Sequence, residues 1–130
     1  MLAEAMCDAG EIEEGLIAVD EGLARCATYE DRWCMSELLR VKGRLAWAEG
    51  SIAAAEENFQ EASAWARRQG ALSWELRAVT CLAQLRYRSG KIPEAYALLS
   101  SVYDRFTEGH ETSDLRTARA WIATLRPDLD

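Results

Sequence analysis

Arg40, Arg44 and Trp47 stand at steps of four and three residues, which puts them on one face of a helix. Thr80, Gln84 and Tyr87 follow at the same steps 40 residues later, with Arg77 ahead of them and Arg88 beside Tyr87. A guanidinium beside Trp or Tyr suits a carboxylate, because its planar fork matches the two oxygens and the ring supplies apolar contact. These eight residues are therefore candidates for binding an acidic peptide or a chain-terminal carboxylate. The plainer alternative is that the arginines pair with Glu37 or Glu75 and with solvent.

Other reactive side chains form no constellation. Cys7, Cys26, Cys34 and Cys81 are spaced by 19, 8 and 47 residues, with no CxxC, and His110 is the only histidine. Zinc would need four unpaired thiolates, so the cysteines are expected to be reduced and partly buried. Residues 1–10 carry Glu4 and Asp8 and no basic residue, unlike a secretory signal. A disulfide framework is accordingly not expected, and the compartment is expected to be the cytoplasm. His110, in the stretch Gly109-His-Glu-Thr, reads as a solvated loop histidine. Glu13/Glu14, Asp20/Glu21 and Glu56/Glu57 fall on polar helix faces, where charge is ordinary solvation. Phosphate-loop, HExxH and GxSxG motifs are absent. No catalytic, cofactor-binding or metal-binding residue is expected.

The elements that must position Arg40–Trp47 and Arg77–Arg88 come from a repeat. The chain has 130 residues, 49% apolar, with two prolines and a net charge of −7. Few breakers and no apolar run of membrane-spanning length point to one all-α domain. So acidic a chain is a poor nonspecific nucleic-acid binder, since phosphate neutralisation supplies most of that affinity. The charge is uneven: residues 1–62 hold 14 acidic and 5 basic side chains, and residues 63–130 hold 8 and 10.

Gly10, Gly50 and Gly90 lie 40 apart, each followed two residues on by Ile12, Ile52 or Ile92. Small residues recur seven before (Ala3, Gly43, Ala83) and five after (Gly15, Ala55, Ala95). Large apolar residues recur nine after (Val19, Phe59, Leu99), and Gly22, Ala62 and Val102 follow at twelve. Apolar residues flank each glycine at three- and four-residue steps, so each glycine is expected to close one helix just before the next begins. Small residues would sit where the helices cross, and Phe59 or Leu99 would fill the gap to the next hairpin. Ser51 is placed as an N-cap and Pro93 in a first turn.

Gly43, Gly50, Ala55, Phe59 and Ala62, then Ala83, Gly90, Ala95 and Leu99, resemble the tetratricopeptide repeat family over residues 1–107. The period is 40 rather than about 34, so longer helices or loops around Cys26–Trp33 and Gln69–Trp74 must absorb the excess. The resemblance implies a right-handed α-solenoid: units 1–29, 30–69 and 70–107 and a capping helix 112–126, with Thr112 or Ser113 as N-cap. It also implies that the Arg40–Trp47 and Arg77–Arg88 faces line a concave groove for a protein or peptide partner. Some family members clamp a carboxylate there with Lys, Arg and Asn; this face has no Asn.

Gly70-Ala-Leu-Ser-Trp-Glu-Leu-Arg77, and Phe106 to Gly109 with Thr112, Asp114, Leu115 and Ala118, resemble the C-terminal repeats of bacterial multidomain regulators. In those proteins an ATPase module, often with a cyclase or winged-helix domain, precedes the repeats. That resemblance implies a noncatalytic sensor or scaffold, acting on a partner or on its own ATPase or cyclase domain. A small-ligand sensor using Arg44, Trp47 and Tyr87 is the alternative. The chain would then begin within a helix, and Leu2, Ala5 and Met6 would offer an apolar edge for self-association.

Overall fold

The computed structural model describes residues 9–28 and 34–126, and among them helices are the only regular elements, joined by turns and one longer connection at 104–112. Six helices follow in order: α1 Ala9–Thr28, α2 Met35–Ala48, α3 Ile52–Arg68, α4 Leu72–Arg88, α5 Ile92–Tyr103 and α6 Ser113–Leu125. Among the described residues no helix is long and apolar enough to cross a membrane.

Glycine sets the reversals. Gly50, Gly70 and Gly90 have φ of 92°, 68° and 80°, the left-handed region that a Cβ disfavours. Each closes its helix with the same pair of bonds. Gly50 N–H donates to Trp47 O at 2.9 Å and Ser51 N–H to Ala46 O at 2.8 Å. Gly70 and Ala71 bond to Arg67 O and Ala66 O, and Gly90 and Lys91 to Tyr87 O and Arg86 O, in the same pattern. The turns thus recur every 20 residues, and the connection between hairpins is as tight as the one within them. Around Gln69–Trp74 the extra residues lengthen α3 and α4 to 17 residues each, rather than making a loop.

Gly10 departs from this scheme, because it falls in the first turn of α1 instead of in a turn before it. Ser51 occupies the N-cap position of α3 but its hydroxyl makes no capping bond. Pro93 lies at the start of α5 as expected, and Thr112 is the N-cap residue of α6. The Thr112 hydroxyl donates to Gly109 O at 2.8 Å, tightening the turn rather than capping the helix. Residues 1–8, with Cys7 and the edge at Leu2, Ala5 and Met6, lie outside the described residues, as do 29–33 and Pro127.

Each helix packs on its chain neighbour. Among the described residues α2 also packs on α4, and α4 on α6, whereas α1, α3 and α5 contact only their chain neighbours. Alternate helices therefore form one continuous face. At the start, Ile12, Leu16, Val19 and Leu23 of α1 meet Leu38, Val41 and Leu45 of α2. Phe59, fully buried, sits among Ala46, Ala55, Cys81, Leu82 and Leu85, joining one hairpin to the next. Leu99 does likewise with Leu76, Val79 and Ala83, in a cluster that Leu115, Ala118, Ile122 and Leu125 of α6 complete. Gly43 shows why a small residue is needed at the crossing: a Cβ there would lie 2.5 Å from the Phe59 ring.

Polar ties cross the same joints. Glu75 is 1% exposed, and its carboxylate accepts from Arg67 at 2.9 Å and from Arg105 at 3.0 Å, tying α3, α4 and the end of α5 together. The Ser36 hydroxyl donates to Ala62 O at 2.9 Å. Cys26 near the end of α1 and Cys34 before α2 are joined as a disulfide, with Cα atoms 6.6 Å apart. The expectation of four reduced thiols is thus corrected. The reversal between two antiparallel helices brings residues eight apart back together, a proximity invisible to a search for CxxC. Cys81 is free and buried.

Candidate partner-binding groove

The face of α2, α4 and α6 carries the site. Arg40 and Arg44 project from α2, Arg77, Thr80, Cys81 and Gln84 from α4, and Asp114 and Thr117 from α6; together they line an open cavity of about 220 Å³. Residues at i, i+3 and i+4 of one helix share a face, and the α2–α4–α6 packing sets three such faces side by side.

Two carboxylates organise the guanidiniums. Glu37 accepts from Arg40 Nε at 2.9 Å and Nη2 at 3.3 Å. Its Oε1 also accepts from Arg77 Nη1, so one carboxylate of α2 holds both α2 and α4 arginines. Arg77 Nε donates to both carboxylate oxygens of Asp114 at 3.0 Å, reaching α6. Burial on its own would lower the Arg77 pKa. The Asp114 hydrogen bond, with the charges of Glu37 and Asp114, outweighs burial and raises it above the ordinary value. Arg77 therefore stays a fixed cation. Arg44 Nη1 lies 4.0 Å from the Cys81 sulfur. Arg40, Glu37, Arg77 and Asp114 thus form one connected ion-pair network across α2, α4 and α6, with Arg44 beside it on the cavity wall.

Of the eight residues expected from sequence, five converge: Arg40, Arg44, Arg77, Thr80 and Gln84. Thr80 is mostly turned to its own helix, its hydroxyl donating to Leu76 O at 2.7 Å. Trp47, Tyr87 and Arg88 do not line the cavity. Trp47 packs edge-on against Phe59 with centroids 6.4 Å apart, and Tyr87 against Trp121 at 5.6 Å, so both aromatics serve the core. Arg88 is exposed at the end of α4. Glu75, considered as a partner for these arginines, is instead held by Arg67 and Arg105.

Cys81, Asp114 and Thr117 complete the cavity without having been expected there. Cys81 lies four residues after Arg77 and three before Gln84, on the same helix face, although it is expected only as a partly buried thiol. Asp114 and Thr117 come from α6, a helix whose place beside α4 no local spacing encodes. His110 packs against Tyr103 with ring centroids 5.7 Å apart. Among the described residues no three His, Cys, Asp or Glu side chains are grouped to hold a metal ion. Comparison with family models, curated proteins and solved structures finds no match.

Proposed function

We propose that this chain is a noncatalytic interaction module of the tetratricopeptide kind, holding an acidic segment of a partner protein in the α2–α4–α6 groove. The observation that supports it most is the convergence of Arg40, Arg44 and Arg77 from two helices on one open cavity. Glu37 braces two of the three, so the donors are held in place before a ligand arrives. Preorganised guanidiniums lose less freedom on meeting a carboxylate than mobile ones do. The repeat of helix, left-handed glycine and helix, and the stacking of alternate helices, favour a solenoid with that groove on its inner side.

The module fits the sensor end of a larger bacterial signalling or transcriptional regulator; the Cys26–Cys34 disulfide weighs against the cytoplasmic compartment expected from sequence. An acidic stretch of a neighbouring domain would be as suitable an occupant as a separate protein. The small-ligand reading loses ground, because Trp47 and Tyr87 pack into the core instead of walling the cavity.

Fluorescence anisotropy with a labelled decapeptide of glutamate tests the proposal, with a lysine decapeptide as control. Binding of the glutamate peptide alone, lost in Arg44→Glu and retained in Arg88→Glu, is expected. Equal binding by wild type and Arg44→Glu would remove the groove from consideration.

A further inference from the structure

Arg77 already holds a carboxylate, and the two acids that meet it differ in placement. Glu37 has a side chain 13% exposed, does not line the cavity, and grips Arg40 and Arg77 from behind. The Asp114 side chain is 33% exposed and lines the cavity itself, on the Nε edge of Arg77. Arg77 Nε and Nη1 are engaged by Asp114 and Glu37. An incoming carboxylate that takes the Nε edge must therefore displace Asp114.

We propose that Asp114 is a built-in competitor for the partner's carboxylate, and that Glu37 is the positioning residue that holds the receiving guanidiniums. This rests on the groove reading above and concerns the regulation of that site. The exchange replaces one carboxylate by another on the same cation, so no new charge has to be buried. A partly exposed ion pair is weak, and Asp114 is displaced readily. Arg40 is itself 8% exposed and held twice by Glu37, so the contest with the partner's carboxylate is decided at Arg77. Displacement also unties the first turn of α6 from α4, while Leu115, Ala118, Ile122 and Leu125 keep the helix docked.

The two acids predict opposite outcomes for the same loss of charge. With the glutamate decapeptide as probe, Asp114→Asn is expected to bind about two- to fivefold more tightly than wild type. Glu37→Gln is expected to bind at least about twofold more weakly, because Arg40 and Arg77 lose their brace. Thermal melts of both variants confirm that they are folded at the titration temperature. A general field effect would tighten both alike, and that result overturns the proposal, as does no gain for Asp114→Asn while binding still needs Arg44. If neither wild type nor Asp114→Asn binds the probe, the groove reading itself falls, and this inference with it.

Discussion

Replacing Gly43 with alanine sets two effects of opposite sign against each other. Alanine is the better helix former, by about 0.5–1 kcal/mol within a helix. Its Cβ, however, would lie 2.5, 2.6 and 3.2 Å from three atoms of the Phe59 ring. Phe59 is fully buried and is hemmed in by Ala46, Ala55, Cys81, Leu82 and Leu85, with Trp47 on its edge, so the ring cannot swing aside cheaply. Overpacking of this kind costs about 1–3 kcal/mol, and it wins. We expect Gly43→Ala to lower stability by about 1–2 kcal/mol, or Tm by roughly 3–8 °C. Two controls isolate the cause. Gly22→Ala meets only the tips of Leu38 at 3.3 Å, a side chain able to rotate, and should be neutral or slightly stabilising. Gly43→Ala with Phe59→Leu should be no less stable than Phe59→Leu alone, a coupling of at least about 1 kcal/mol. The next hairpin already carries that combination, as buried Ala83 and Leu99. Urea unfolding with unchanged m values is the assay. A Gly43→Ala protein as stable as wild type would refute the steric account of this crossing.

The buried carboxylate and the disulfide give two further tests. Arg67→Ala with Arg105→Ala strands the Glu75 carboxylate, which is 1% exposed, and should cost about 3 kcal/mol or more. Glu75→Gln leaves two arginines that reach solvent and should cost less than the double arginine change; the reverse order in urea unfolding would contradict the assignment. Closing the eight-residue separation between Cys26 and Cys34 should stabilise by about 2.5 kcal/mol through loop entropy. A reductant or Cys34→Ser should therefore lower Tm by roughly 10 °C. No change on reduction, with both thiols open to alkylation beforehand, would show that the bond does not form.

Local chemistry made much of the fold legible. Gly50 and Gly90 are readable because a chain reversal after a helix needs a positive φ. Gly70 belongs to the same series, but a comparison of positions 40 apart passes over a turn at half the period. Arg40, Arg44, Thr80 and Gln84 are legible as groove residues because i, i+4 spacing fixes a shared face. That spacing does not say which way a large ring leans, and Trp47 and Tyr87 lean into Phe59 and Trp121. Asp114 meets Arg77 across 37 residues of chain, and Cys26 meets Cys34 through a reversal. Both are tertiary contacts that no helical periodicity carries.

Titration of the isotope-labelled chain with the glutamate decapeptide, followed by NMR, tests the groove most directly. We expect the side-chain Nε–H signals of Arg40, Arg44 and Arg77 and the backbone amides around Gln84 and Thr117 to shift together along one binding isotherm. Signals on α1, the outer surface of α3 and α5, and Arg88 should stay in place. Shifts confined to those outer helices, or none at all at millimolar peptide, would contradict binding of an acidic segment on the α2–α4–α6 face.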